Sequence, residues 1–212
     1  IPVATLNDDI KDSKRIFYVG PQVRQSGRIA GELMGRFLKG EGRVLTLNGD
    51  LNSLEYRERL EGFEEVLKEK FSKVSIAANY TYNVDVKSFG SIDIIRSILE
   101  NTDDIDGIYD VDGATLHYIG EIVKSIPKHK KTIVIGHEIW GRVMELIEEG
   151  VITAAISQDP YSQGYFVIKM LYEYIAEGKL PEFDRMYTRL DIILKENLIT
   201  QNNIINPYFV KM

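Results

Sequence analysis

From residue 43 onward, short apolar runs alternate with longer stretches of helical period. The runs are 44–47 (VLTL), 74–78 (VSIAA), 107–111 (GIYDV), 132–136 (TIVIG) and 153–157 (TAAIS). Each is short, continuous and apolar, as a strand buried on both faces should be. Between them the pattern predicts helices over 53–70, 88–100, 114–125 and 139–149. In the first, Leu60, Phe63, Leu67 and Phe71 recur at helical spacing over a face of Glu, Arg and Lys. Ser53 is its expected N-cap, without a full capping box because Tyr56 stands three residues on. Strand–helix alternation with unbroken apolar strands implies an α/β fold with a parallel, doubly wound sheet.

Upstream, IPVATL (1–6) and RIFYV (15–19) read as further strands, and a helix runs from about Ser26 to Lys39, stopped by Gly40 and Gly42. Downstream, Pro160 opens a helix that ends at Glu177 before Gly178. The stretch 187–194 (YTRLDIIL) is a last strand, and the Asn-rich 200–207 reads as a loop or extension. No internal repeat is visible. Ile1 lies inside a strand already in progress, so the natural protein is expected to continue upstream.

Composition narrows the function. The chain has 212 residues, 44% hydrophobic and 27% charged, ordinary for a globular protein of one large domain or two small lobes. A net charge of −6 argues against a nucleic-acid surface on this segment. The absence of cysteine excludes disulfides and thiolate metal sites. No apolar run reaches the roughly 18 residues of a membrane span, so no membrane association is expected.

The polar residues collect at strand ends. IPVATL is followed by Asn7, Asp8 and Asp9, and VLTL by Asn48, Gly49 and Asp50. GIYDV is followed by Asp112 and Gly113, TIVIG by His137 and Glu138, TAAIS by Gln158 and Asp159. Open parallel sheets bind ligands beyond the carboxyl ends of their strands. A single polar strand end is ordinarily a helix cap, but His-Glu and Gln-Asp are not cap chemistry, and five such ends point to a crevice. Arg57 and Arg59 stand on the first turns of a helix, against its dipole, as fork-like donors would. The plainer reading pairs each with Glu55 or Glu61 on the surface. Being two apart, only one of them is expected to reach the crevice. Tyr80, Tyr82, Trp140 and Tyr161 fall in expected loops or first turns and supply aromatic walls, or cover the core's edge.

Enzyme chemistry finds little footing. YDVDGAT (109–115) looks like the D-x-D-G-T start of haloacid-dehalogenase-type phosphatases, in which Asp110 would be the nucleophile and Asp112 the acid/base beside Mg²⁺. The acidic pair that family carries on a later strand end is missing, since those ends read GHE and SQD. His137-Glu138 opens no metalloprotease motif because position 141 is Gly. His117 and His129 complete no metal-ligand spacing. There is neither a phosphate loop nor a nucleophile elbow. No catalysis and no cofactor or metal are expected.

Taken together, these stretches resemble the sugar-binding domain of the lactose-repressor (LacI) family and its relatives, the type I periplasmic sugar-binding proteins. RIFYVGPQVRQSGRIAGELMGRFL is similar to the family's V-G-x-D-N-x-x-a-G-r-x-A segment, YRERLEGF to its R-x-R-x-x-G-F helix, IVIGHE to its V-V-G-F-D, and AAISQDPYSQGY to the segment that leaves the second lobe. The likeness covers about residues 1–198. It implies two lobes joined by crossing strands with the ligand clamped between them. Residues 1–20 would end the first lobe and cross over, and 21–158 would form the second lobe. Residues 159–186 would be a first-lobe helix and crossover, 187–198 the last strand and 199–212 a tail. On order of 100 residues of first lobe would lie upstream, leaving Phe166, Met170 and Tyr174 of the 160–177 helix uncovered.

Carried over by position, Arg59 would bind sugar hydroxyls, Asp112 and Glu138 would take acidic or amide places facing the ligand, and Gln158 would be a polar hinge residue. Asn7 and Asp8 would come from the first lobe, with Tyr82 and Trp140 as walls. The resemblance implies the effector domain of a cytoplasmic transcriptional regulator. It would bind a small sugar or polyol, touch DNA only through an upstream domain, and form a homodimer. The alternative is an exported solute-binding protein of a sugar transporter.

Overall fold

A computed structural model describes residues 1–10, 12–82 and 89–198, with 89–91 as helix backbone only. The main sheet is built from β3 (Glu41–Asn48), β4 (Lys73–Thr81), β5 (Gly107–Asp110), β6 (Ile133–His137), β7 (Ala154–Ser157) and β9 (Asp191–Ile193). Its order is β4-β3-β5-β6-β7-β9, parallel throughout except that β9 runs antiparallel to β7. A second, three-stranded parallel sheet has the order β1 (Thr5–Leu6), β2 (Tyr18–Gly20) and β8 (Arg185–Tyr187). Six helices intervene: α1 (Val23–Phe37), α2 (Leu54–Lys70), α3 (Phe89–Asn101), α4 (Leu116–Ser125), α5 (Gly141–Glu148) and α6 (Pro160–Glu177).

The period-2 alternation of the strands sorts their side chains onto two faces. Leu45, Leu47, Ile108 and Val134 point to one face, beneath Leu99, Ile119 and Leu146 of α3, α4 and α5. Val44, Tyr109, Ile135 and Ile156 point to the other, beneath Met34 of α1 and Phe63 of α2. Both faces are closed by helices, as the unbroken apolar runs required, and the α/β class expected from the sequence is the one observed.

Several local expectations change. The stretch 187–194 is not one strand: β8 and β9 belong to different sheets, and Thr188 makes the switch. Its N–H donates to Gly20 O at 2.9 Å and its hydroxyl to Gln158 O at 2.9 Å. The helix expected from Ser26 begins at Val23. Its stop is Gly40, left-handed at φ +86° with its N–H on Gly35 O at 2.8 Å, while Gly42 lies inside β3. Ser53 is the N-cap of α2, but its side chain makes no cap hydrogen bond. Pro160 opens α6 as expected, and Asp159 adds a cap: at φ 54° its carboxylate accepts from Ser162 N–H at 3.2 Å. The start at 88 and the tail 199–212 lie outside the described residues.

The uncovered face of α6 is also not the one expected. Val167 is buried, and Phe166 and Met170 pack beside it against Phe17 and Val19 of the small sheet. The exposed stripe is Tyr161, Tyr165, Ile168, Tyr172 and Ile175. At 100° per residue, α6 carries two apolar faces, and the small sheet takes the one holding Phe166 and Met170.

Two helices define the position of the most informative residues. α1 and α2 cross in close contact through Gly27, Gly31 and Gly62, flanked by exposed ion pairs from Arg24 to Glu61 and Glu65 and from Arg28 to Glu65 and Glu69. Such surface pairs contribute little each; backbone contact at the glycines fixes the crossing.

Candidate ligand-binding site

The strand register brings four carboxyl ends level. Leu47 pairs with Asp110, Tyr109 with Ile135 and His137 with Ile156. The loops that follow therefore leave one edge of the sheet together. Glu138, at φ 63°, is tied there by its N–H to Ile156 O at 2.9 Å. These loops also pack on one another. A β-carbon at Gly113 would meet Glu138 Cγ at 2.9 Å, and one at Gly49 would meet the Tyr56 ring at 2.6 Å and Asp112 Oδ2 at 3.1 Å.

Arg59 enters this edge from α2. Its side chain is 2% exposed; Nη1 donates to Val111 O at 2.9 Å and Nη2 pairs with Glu55 at 2.5 Å. Both sequence readings of this arginine meet here, since it pairs with Glu55 but does so inside. Arg57 is exposed. Burial raises the Glu55 carboxyl above its ordinary value; Arg59 opposes that shift, while Asp8 and Asp112 add to it and a hydrogen bond from Gln158 lowers it. Gln158 is 4% exposed, and its amide N–H₂ also donates to Glu138. Burial raises Glu138 too, with Gln158 and Arg59 opposing and Glu55 reinforcing. Asp112 is buried and accepts from the Tyr56 hydroxyl at 3.2 Å and from Ala114 N–H at 3.0 Å.

Arg59, Asp112, Glu138 and Gln158 are thus brought together. Trp140 is half exposed at the start of α5, its ring edge-on to His117 with centroids 4.5 Å apart, which places it on the rim. Asn7 and Asp8 follow β1 on the small sheet. Asn7 is left-handed at φ 65°; its N–H donates to Val19 O at 3.0 Å and its carbonyl accepts from the Tyr18 hydroxyl at 2.9 Å. Asp8 is exposed and lines a cavity of about 370 Å³ with Tyr18, Arg24, Glu55 and Tyr187. Tyr82 does not join the group. It is 4% exposed and turned inward, its hydroxyl 2.6 Å from Thr115 Oγ1 and 3.3 Å from Asp110.

Three positive-φ residues that are not glycine, Asn7, Glu138 and Asp159, stand at the strand ends that bound this region. Backbone in that conformation costs energy and gathers at functional sites. The sequence reading leaves Glu55 at the surface and gives Tyr56 no place in the site. The Glu-to-Arg spacing of four was visible, but the depth of the pair was not.

Asp110 ends the phosphatase reading. It is fully buried, its carboxylate held by Thr115 Oγ1 at 3.0 Å, by Asp112 N–H at 3.2 Å and by Tyr82. Burial and the neighbouring Asp112 push its pKa well up, so it is no exposed nucleophile. Among the described residues, no three His, Cys, Asp or Glu side chains group as a metal ion requires. His137 is likewise fully buried, with Nε2 2.8 Å from the Tyr109 hydroxyl, and burial reinforced by Arg59 holds its pKa well below the ordinary value. Among the described residues, Gln158 Oε1, Arg59 Nε and His137 Nδ1 are buried without a hydrogen-bond partner. No described helix is long and apolar enough to cross a membrane.

Known proteins share this fold. A family model described as a periplasmic binding protein domain matches residues 1–180. The xylose/arabinose-binding protein XylF of Sulfolobus acidocaldarius is 21% identical over 203 residues, 91% of this chain and 46% of its own. The D-allose-binding periplasmic protein of Escherichia coli is 22% identical over 144 residues, 68% of this chain and 45% of its own. The chain thus spans less than half the length of these two relatives. Among solved structures, GanP, a glucose-galactose binding protein from Geobacillus stearothermophilus, superimposes with a TM-score of 0.84 at 25% identity, over 93% of this chain and 69% of that one. A structure described as a LacI transcriptional regulator from Bacteroides fragilis gives 0.82 at 20% identity, over 94% and 69%, and shows the shared fold. The sugar-binding-domain resemblance is borne out, and the relatives named for sugar binding or import favour the solute-binding alternative over the regulator reading.

Proposed function

We propose, on the premise that this chain belongs to the family of periplasmic binding protein domains, that it binds a monosaccharide or small polyol where Arg59, Asp112, Glu138 and Gln158 meet. The family is one of non-enzymatic sugar-binding proteins. The observation that carries the reading is Gln158: almost fully buried, its amide N–H₂ bridges Glu138 and Glu55 while its Oε1 has no donor among the described residues. A buried acceptor left alone is costly. A sugar hydroxyl can donate to it and accept from Arg59, and vicinal hydroxyls can span the carboxylates beside it. The relatives are named for xylose, arabinose, allose, ribose, glucose and galactose, so pentoses and hexoses are the class to try.

The role that fits these relatives is that of a solute-binding protein for sugar uptake, working outside the membrane. The cytoplasmic location, the upstream DNA-binding domain and the homodimer belong to the regulator reading, which the shared fold with the Bacteroides structure supports at the level of architecture. Under either reading, residues 21–158 form the second lobe, and the small sheet with α6 belongs to the first.

Trp140 is the one tryptophan of the sequence and sits on the rim, so its fluorescence reports occupancy. Titration of the full chain with pentoses, hexoses and inositol should give a saturable change for some of them, lost in Arg59→Met and Gln158→Leu. A flat response to every sugar, with no calorimetric heat, overturns the proposal.

A further inference from the structure

The binding edge is unbalanced in charge. Glu55, Asp112 and Glu138 are largely or fully withdrawn from solvent, and Asp8 stands at the margin close enough to act on Glu55. Among the described residues, the cation acting on Glu55 and Glu138 is Arg59. Its guanidinium is already committed to Glu55 and to Val111 O. Arg189, between β8 and β9, is engaged with Asp159 and Asp191. Arg24, Arg28 and Arg185 line the cavity of Asp8 and Glu55, but Arg24 and Arg28 are paired with Glu61, Glu65 and Glu69, and Arg185 with Asp184. What remains is acceptor-rich: among the described residues, Glu138 receives the side-chain amide and the backbone N–H of Gln158, both neutral, Asp112 receives the Tyr56 hydroxyl and Ala114 N–H, and Gln158 Oε1 has no donor. Holding surplus carboxylates out of water is unfavourable unless positive charge and donors come to them. A ligand with only hydroxyls supplies the donors without the charge.

We propose that the ligand is a sugar carrying a protonated amine, whose ammonium group lies against Glu138 and Asp112 and donates to Gln158 Oε1. An ammonium brings three donors and no acceptor, which suits acceptors whose present donors are all neutral. The same surplus of negative charge discriminates against sugar acids and sugar phosphates, whose anionic groups would be brought against unpaired carboxylates. The proposal rests on the sugar-binding reading above and adds the charge of the ligand to it.

A charge ladder on a fixed ring tests it. Glucosamine, glucose and glucuronate, and the corresponding galactose set, are titrated into the full chain by calorimetry at about pH 6, where a sugar amine is protonated. The expected order is amine, then neutral sugar, then acid. The amine should bind at least about tenfold tighter than the neutral sugar, the scale of a charge-assisted hydrogen bond. In Glu138→Gln, which keeps the shape and removes one charge, the ratio of amine to neutral affinity should fall towards one. Neutral sugars that bind as tightly as their amines overturn the proposal and leave the sugar-binding reading intact. An amine preference that survives in Glu138→Gln overturns its assignment to these carboxylates. Binding of none of the six overturns the amine proposal, while the wider titration with pentoses, other hexoses and inositol decides the sugar-binding reading separately.

Discussion

The backbone of Gly27 lies against the carbonyl oxygen of Arg59: a β-carbon at Gly27 would stand 1.9 Å from that oxygen. Gly62 makes the reverse contact, where a β-carbon would come 2.1 Å from Arg24 O. Arg59, at the proposed binding edge, is thus set in place by glycines that carry no chemistry of their own. Gly27→Ala should push α1 off α2 and cost about 2–3 kcal/mol, the range of overpacking a tight core. Urea unfolding checks the stability, and sugar titration should show weaker binding in the same variant because Arg59 moves with its helix.

Arg59 and Glu55 form an ion pair with side chains 2% and 12% exposed. Removing one partner leaves the other buried without compensation. Arg59→Met should therefore cost about 3–5 kcal/mol, more than the double variant Arg59→Met/Glu55→Gln loses beyond Glu55→Gln alone. A double-mutant cycle by chemical denaturation reads the difference. Strict additivity would show that the pair is not coupled.

Two buried groups give stability an opposite pH dependence on either side. Asp110 has its folded pKa raised well above 3.8 by burial and by Asp112. Its contribution is complete below about pH 4 and is lost as the pH climbs through the raised folded value. Asp110→Asn keeps the partners Thr115 and Tyr82 and removes the charge. It should be more stable than the parent at neutral pH, by about 1 kcal/mol or more, with a flatter slope above about pH 4.

His137 works from the acid side. Burial and Arg59 hold its folded pKa well below 6.5. The unfolded chain takes up a proton below about pH 6.5 and the folded one does not, so stability is complete above that value and drains as the pH falls. His137→Gln should lose this acid-side slope, measured as urea midpoints between about pH 4 and pH 7.

Trp140 is 43% exposed. Ligand on the rim should shield it from acrylamide, and Trp140→Ala should weaken sugar binding by about tenfold, the scale of a lost aromatic contact. Quenching that ignores a bound sugar would remove Trp140 from the site.

Much of this architecture was legible because it rests on local chemistry. Proline and glycine mark the two ends of α6, at Pro160 and Gly178, and apolar continuity marks β3, β5, β6 and β7. What escaped was decided at long range. The sequence Thr188-Arg189-Leu190 suits a strand, but hydrogen bonds from Thr188 to Gly20 and Gln158 turn the chain from one sheet to the other. The sequence places Tyr82 in a loop, as a wall of the ligand site or a cover of the core's edge. β4 instead runs on to Thr81, and its register with β3 shifts at Val44/Leu45, where the partner skips from Ile76 to Ala78. A bulge of that kind reverses the parity of every later side chain, and the sequence carries no sign of it. Glu55 was read at the surface for a related reason: spacing reveals a partner, while depth depends on what folds over it.

Three short segments join the two sheets: residues 21–22 from β2 to α1, 158–159 from β7 to α6, and 188–190 from β8 to β9. They are stitched to one another where Thr188 reaches both Gly20 and Gln158. Tethers set side by side resist sliding and twisting of one body on the other, but yield to bending. Gln158 is at once one of these tethers and a lining residue of the proposed cleft. If the proposed cleft holds a sugar, the joint itself takes part in the contact, and bending at these tethers is the motion that binding would bias.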